Sequence, residues 1–476
     1  MNTVVLIRPL FPGLLRPNPP LGLGYLAAVL EKNGYKVIIV DCSILKIDNK
    51  RVIRFLTKVK PLAIGISALT SHYNQMKELS RLIKSDATLK NIPLILGGPH
   101  VTFLPIESIR ECCADFVILG EGEITLLELI KAIENKTSFE VIKGLSYKIN
   151  NNIKINEPRE FIKNLDELPF PAWHLMPPNT YPLDPHGHEY IRAHYAPIIT
   201  TRGCPFKCTY CASTNLWGNK FRRRSPKNVV EEMEFLMKNF GVREFHIWDD
   251  NFTLIKKHVN GICDEIIRRK LDLKLKCPNG IRIDTLDEQI IYKMKKAGFY
   301  HIVLAVESAS QRILDDVKKK LDLKKVPKLV KMVKKYGIVT RGFFMLGLPT
   351  ETINSCYKTI KYLRKIDLDY VSIFIAQPLP GSEIFNQWKK NITLGNFDWE
   401  NIEYRRSNQP LVNFNPKYLK RFRMRAYLTF FFRLRTIYTI FSHLMMNLTW
   451  FKNIGQQLIR LLITKKWFKK ETVFSK

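Results

Sequence analysis

Thr200-Thr201-Arg202-Gly203-Cys204-Pro205-Phe206-Lys207-Cys208-Thr209-Tyr210-Cys211 is the stretch around which the chain is organised. Three cysteines stand here, with three residues between the first pair and two between the second. Three thiolates on one short loop can hold three irons of a cubane iron–sulfur cluster. A ferredoxin-type site needs a fourth cysteine, and none follows nearby. One iron is then open to a small molecule, as a catalytic metal keeps one open position. A structural zinc site and a disulfide are the alternatives. Zinc prefers a fourth Cys or His in a paired knuckle; His194 is close, but there is no second Cys-x2-Cys.

Working outward, 476 residues suffice for two or three domains with sizeable cores. Apolar residues at 46% and charged residues at 25% are those of a globular protein rather than a disordered one. Nine cysteines, with Cys112-Cys113 adjacent and Cys42, Cys263, Cys277 and Cys356 isolated in apolar segments, do not form a secreted disulfide scaffold. A reducing cytoplasm is the expected location, and the N-terminus reads as a first β-strand rather than a signal peptide. The formal charge of +33 raises nucleic acid as a partner. Most of this charge is lysine on helix faces, however, and no nucleic-acid-binding motif is present, so no specific nucleic-acid partner is expected.

Before the cysteine loop, short apolar runs at Val4–Ile7, Val37–Val40, Ala63–Ile66, Leu94–Leu96 and Phe116–Leu119 alternate with helix-length amphipathic segments. Five such units predict a doubly wound parallel sheet, whose ligands lie beyond the carboxyl ends of its strands. The residues there are Leu21-Gly22, Ser67-Ala68-Leu69, Gly97-Gly98-Pro99-His100 and Gly120-Glu121-Gly122-Glu123. Glycines at strand ends admit a bulky ligand, and each cluster alone is also ordinary turn chemistry. Residues 1–140 are read as this domain, and 141–193 as a hairpin and proline-rich linker containing His186 and His188, which are read as loop residues.

Strands are next expected at Ile198–Thr201, Glu244–Trp248, Leu273–Cys277, Ile302–Val306, Val339–Met345 and Tyr370–Ile375. Six βα units predict a partial (β/α)6 barrel over 194–390, with chemistry at the carboxyl ends of its strands. Those ends carry Asp249, Arg282, Glu307 and Gly347. A carboxylate at Asp249 can satisfy an ammonium donor, and Glu307 can accept from hydroxyls or hold a basic partner such as Arg282. Residues 391–476 form a basic helical extension. Its arginines interleave with Tyr427, Phe430, Phe431 and Phe432, and its longest uncharged run, Thr436 to Phe451, is too short to span a membrane. The extension is read as a cap on the barrel, with peripheral membrane contact as a secondary expectation.

The cysteine loop, with Tyr210 before its last cysteine and an apolar strand leading into it, resembles the signature of the radical S-adenosylmethionine (SAM) enzymes. The ordered segments up to Gly381 match that family too; Ala305-Val306-Glu307-Ser308 resembles its Gly-x-Glu-Ser segment, with alanine for glycine. The resemblance implies a 4Fe-4S cluster on Cys204, Cys208 and Cys211, SAM chelated at the open iron, and cleavage of SAM to a 5′-deoxyadenosyl radical. It also implies SAM contacts at Tyr210, Asp249, Arg282, Glu307 and Gly347, and an external electron donor such as flavodoxin or ferredoxin.

The first domain resembles the cobalamin-binding domain, which pairs Ser-x-Leu with Gly-Gly about 27 residues on, as Ser67–Leu69 and Gly97-Gly98 are spaced. Leucine stands in Pro19–Gly24 where that family's Asp-x-His-x-x-Gly carries an axial histidine. The resemblance therefore implies cobalamin held without protein imidazole, by Leu21, Gly22, Ser67, Leu69, Gly97, Gly98, Gly120, Glu121 and Gly122. The two resemblances together imply a cobalamin-dependent radical SAM enzyme whose commonest reaction is methylation of an unactivated carbon on a small-molecule or lipid substrate. Oxidative ring closure is the rival outcome, and a corrinoid or redox sensor the non-enzymatic one. No catalytic acid or base is assigned.

Overall fold

The structure is a computed structural model and describes residues 2–11, 17–150, 152–182, 194–390, 397, 399, 402, 411–415, 417–438 and 441. His186 and His188 lie outside the described residues, as does most of the run from Thr436 to Phe451.

The N-terminal sheet contains β1 (Thr3–Arg8), β2 (Lys36–Asp41), β3 (Ala63–Ser67), β4 (Leu94–Gly97), β5 (Phe116–Ile118), β6 (Leu145–Ile149) and β7 (Asn152–Ile155), in the order β2-β1-β3-β4-β5-β6-β7. The first five are parallel, in the flavodoxin-like order. Their side chains are apolar on both faces, as a strand covered on both sides requires. Val5 and Ile7 point into one core with Ile64, Ile66 and the helix residues Val52 and Leu56. Val4 and Leu6 point into the other with Leu23, Leu30 and Leu129.

The boundary expected at residue 140 is corrected. The hairpin assigned to the linker is built into the sheet, with β6 antiparallel to β5 and β7 antiparallel to β6. It pairs the edge of β5, whose backbone would otherwise stand open to pairing with another chain. A second departure comes from the far end of the sequence. Trp399 and Ile402, expected in the C-terminal extension, lie in the N-terminal core, where the Trp399 ring stands edge-on to His100 at 4.5 Å.

The barrel sheet comprises β8 (Tyr195–Ile198), β11 (Glu244–Ile247), β12 (Lys274–Ile281), β13 (Phe299–Glu307), β14 (Val339–Leu346) and β15 (Tyr370–Ile375). Its order follows the sequence, β15-β14-β13-β12-β11-β8, all parallel and open at the β8 and β15 edges. The first strand ends three residues earlier than expected. Thr201–Arg202 (β9) instead leaves the sheet and pairs antiparallel with Arg222–Arg223 (β10). The physical reason is the Asp249 carboxylate, which accepts from the Thr200 and Thr201 amides in place of a ladder partner. The helix Pro226–Phe240 opens on a hydroxyl cap, with Ser225 Oγ accepting from Asn228 N at 3.2 Å and Pro226 in its first turn.

The proline-rich strap is packed rather than loose. Trp173 is buried and donates to Glu232 at 2.9 Å, and Ala172 N donates to Gly24 O at 3.0 Å. At the other end of the barrel, the helix Lys417–Phe431 sets Leu419, Phe422, Ala426 and Phe430 into the barrel core. The Ile373 amide of edge strand β15 donates to its Tyr427 hydroxyl at 2.9 Å. This helix is the expected cap.

A Cβ on Gly24 would stand 2.1 Å from Met176 Cε and 3.0 Å from Pro171 Cβ. The Gly24→Ile variant is expected to force the strap off its helix and cost about 1–3 kcal/mol. Thermal melting of the purified variant measures this, and an unchanged midpoint would refute it.

Candidate functional site

The three cysteines lie where β8 hands over to the loop, at the carboxyl end of the barrel. Gly203 enters the loop at φ +91°, and a Cβ there would fall 2.3 Å from Lys220 O, so only glycine passes. The loop is tied down along its length. Cys204 N donates to Gly218 O at 3.3 Å, Thr214 Oγ1 to Phe206 O at 2.8 Å, and Thr209 N to Val317 O at 3.1 Å. All three thiols are partly exposed.

The thiols also feel one another. Burial pushes Cys211 up to about 12 and raises Cys204, and the other loop cysteines and Asp250 raise both further. Binding iron must therefore displace protons from the loop. Among the described residues no three His, Cys, Asp or Glu side chains converge as a single-ion site requires. A cubane takes one thiolate on each of three irons, and three cysteines on one loop are a donor set for it.

Several expected SAM contacts are committed to holding the loop. Asp249 is buried and takes Thr200 N at 2.6 Å, Thr201 N at 3.1 Å and Thr200 Oγ1 at 2.5 Å; burial lifts its carboxyl to about 6. Arg282 does not pair with Glu307. It meets Asp284 at 2.7 Å, donates to the carbonyls of Lys319 and Lys320, and stacks 3.8 Å from the centre of the Phe206 ring. Lys319, itself buried, takes the Glu307 carboxylate at 3.1 Å.

Glu307 sits at φ +72°, a left-handed backbone uncommon for any residue but glycine. Tyr210 packs against Ile313, Val317, Leu348 and Ala376. Gly347, at φ +89°, donates its amide to the buried Glu351 carboxylate, and Leu419 of the C-terminal helix closes over it. Sequence reading did not single out Asn251 as a ligand residue. It is buried at the end of β11, and among the described residues neither atom of its amide has a partner. Polar atoms left so at strand ends fit a polar ligand such as SAM.

The cobalamin residues divide. Ser67 and Gly97 are direct neighbours across β3 and β4. Gly98 takes φ +106° against Ala68 O, which a Cβ would meet at 2.6 Å. Over Gly97 and Gly22 a Cβ would meet nothing within 4 Å, and Leu69 stands exposed. Open space above Gly97 at the end of β4 and above Gly22 at the start of the first helix fits a large planar ligand. Leu21 is buried in the core shared with the barrel. Gly120 takes φ +69° and donates to Thr102 Oγ1 at 3.1 Å, and Gly122 precedes the helix Glu123–Asn135. His100 is buried, stacked 4.0 Å from Tyr73, and burial lowers it to about 3.

Glu121 is placed otherwise than expected. Its carboxylate takes Arg202 at 2.9 Å, Arg222 at 2.7 Å and the Ile162 amide at 2.8 Å. Arg202, two residues before Cys204, also meets Glu123 at 2.6 Å and lies between the rings of Tyr25 and Trp217. The Gly-Glu-Gly-Glu turn of one domain is thus fastened to the cysteine loop of the other by buried, fully paired charge.

Removing one member leaves the others buried without a counter-charge. Arg202→Leu should lower stability by about 3–5 kcal/mol in chemical unfolding, and a loss under about 1 kcal/mol would contradict the burial. Burial lifts Glu351 from 4.5 to about 7. The folded chain holds this proton more tightly, so the stability it contributes is complete below pH 4.5 and is lost as pH rises through 7. Unfolding of Glu351→Gln measured across that window should lack this part of the slope; identical pH profiles would contradict it.

Comparison with known proteins agrees with this geometry. A B12-binding domain model matches residues 16–130, and a radical SAM superfamily model matches 198–363. An uncharacterized methyltransferase of Pyrococcus horikoshii is 33% identical over 90% of this chain and 91% of its own length. The cytidylyl-2-hydroxyethylphosphonate methyltransferase of Streptomyces wedmorensis is 29% identical, covering 84% and 83%. An anaerobic magnesium-protoporphyrin IX monomethyl ester cyclase of Rubrivivax gelatinosus is 28% identical, covering 81% and 69%. Among solved structures, the radical SAM methyltransferase TsrM of Kitasatospora setae, with cobalamin and a [4Fe-4S] cluster bound, superimposes with a TM-score of 0.68. It is 19% identical and covers 82% of this chain and 75% of that one, a likeness of fold. The chain belongs to the cobalamin-dependent radical SAM family.

Proposed function

We propose that this enzyme methylates an unactivated carbon of a small-molecule or lipid substrate held between its two domains. The observation that carries the reading is the fastening of the strand-end cradle for cobalamin to the cluster loop through Arg202, Glu121 and Glu123. Two relatives that match most of the chain are methyltransferases by name.

In this reading Cys204, Cys208 and Cys211 hold the cluster, and an external donor such as flavodoxin or ferredoxin reduces it. Tyr210, Glu307, Gly347 and Asn251 line the SAM pocket. Asp249 and Arg282 act one step back, by fixing the backbone that carries the cysteines. Ser67, Leu69, Gly22, Gly97, Gly98, Gly120 and Gly122 shape the cobalamin cradle, and Leu21 seats the helix that forms one side of it. When bound, the cluster with SAM supplies hydrogen abstraction and cobalamin supplies the methyl group. The chain's share is to hold the three groups at a fixed separation and to keep water out. The domains run to about residue 157 and from 194 to 390, and the enzyme works in the cytoplasm. No helix among the described residues is long and apolar enough to cross a membrane.

Oxidative ring closure is the second reading, favoured by the cyclase relative. Anaerobically purified protein, reconstituted with iron, sulfide and cobalamin and given SAM with a deuterated methyl group, separates the two in candidate-substrate screens. Methylation replaces one hydrogen of the product with the labelled methyl group, whereas ring closure removes hydrogen and leaves the label on the methionine released when SAM is cleaved. Cys204→Ser, Cys208→Ser and Cys211→Ser should each bind less iron and form no 5′-deoxyadenosine, and full iron content in all three would sink the assignment.

A further inference from the structure

Past the capping helix Lys417–Phe431 the chain presents side chains that a protein surface in water does not favour. Phe432 is 75% exposed, Leu434 87%, Tyr438 73% and Phe441 58%. Single exposed apolar residues are ordinary, but four within ten positions form a ridge. Beside the ridge lies a cleft of about 520 Å³ lined by Arg364, Lys365, Arg433 and Arg435 and edged by Phe432 and Leu434.

The acidic group nearest this cleft is already engaged. Asp367 pairs with Arg435 at 2.9 Å and with Lys334 at 2.9 Å, and Lys334 also takes Asp369. Arg433 spends its guanidinium on the carbonyls of Leu363, Ile366 and Leu368, which bond it without neutralising it. Burial and the neighbouring Arg435 lower it to about 10, against the opposing pull of Asp367 and Asp369. After Glu403 the sequence carries sixteen Lys and Arg against one acidic residue, Glu471.

We propose that this end of the molecule docks on an anionic lipid surface, with headgroup phosphates in the Arg364–Lys365–Arg433–Arg435 cleft and Phe432 and Leu434 inserted among the acyl chains. Exposed leucine and phenylalanine beside a cationic cleft suit the headgroup–acyl boundary. A nucleic acid would use the arginines but gain nothing from Leu434, because aliphatic side chains do not stack on bases. Each cation close to such a surface contributes about 1 kcal/mol. The contact is peripheral, and it is independent of which carbon the enzyme methylates.

Flotation of the full-length protein with vesicles of phosphatidylcholine alone, or of equal parts phosphatidylcholine and phosphatidylglycerol, tests the proposal. The protein should float with the phosphatidylglycerol vesicles only, and added salt should release it. Arg364→Glu with Lys365→Glu, and separately Phe432→Ser with Leu434→Ser, should each weaken binding by about tenfold or more. Failure of the unaltered protein to prefer anionic vesicles overturns the proposal whatever the variants do. So does equal binding by both double variants, or displacement by polyuridylate that the Phe432/Leu434 variant undergoes unchanged, which would mark the cleft as a nucleic-acid site.

Discussion

A buried guanidinium shared by two domains is the constraint on which the remaining structure depends. Arg202 stands between the first barrel strand and the cysteine loop, yet both of its carboxylate partners belong to the N-terminal domain. Charge removed from water to this extent is tolerated only when it is paired and its remaining donors are satisfied. Arg222 supplies the second positive charge, and Tyr25 and Trp217 supply faces on either side. The two domains are therefore held in one relative placement near the cluster loop. Radical chemistry needs that fixity, because a donor and an acceptor an ångström out of place forfeit much of the gain from being held together.

Around this seam the loop is also held by residues that the sequence reads as SAM contacts. Asp249 replaces a strand partner for Thr200 and Thr201. Arg282 presses its guanidinium against Phe206, inside the first cysteine interval, while binding the carbonyls of 319 and 320. The outcome is a loop whose backbone is tied to its neighbours on both sides of the cysteines.

The parts of this molecule that sequence made legible are those written in local spacing. The cysteine intervals, the eleven parallel strands and the Ser67–Gly97 pairing all follow from periodicity or from short fixed offsets, and the structure sets Ser67 beside Gly97 across adjacent strands. Partner identity was not legible in the same way. Glu121 reads as a strand-end ligand residue until Arg202, 81 positions away, is seen to occupy it. Glu307 was offered Arg282 and in fact takes Lys319, because Asp284 lies two residues from Arg282 and claims it first. Asn251 reads as a helix cap, and only its burial without partners marks it as something else. The hairpin after residue 144 carries clear strand signals, but nothing local says that the edge of β5 is where it must go.

The return of Trp399 and Ile402 to the N-terminal core bears on how the molecule is made. The N-terminal domain lacks part of its own interior until Trp399 and Ile402 have been synthesised. Until then an apolar trough beside Tyr73 and His100 stands open, at risk of sticking to whatever it meets. Trp399 packs on His100 from beyond the whole barrel, so the N-terminal core is completed only by a closure of high sequence separation.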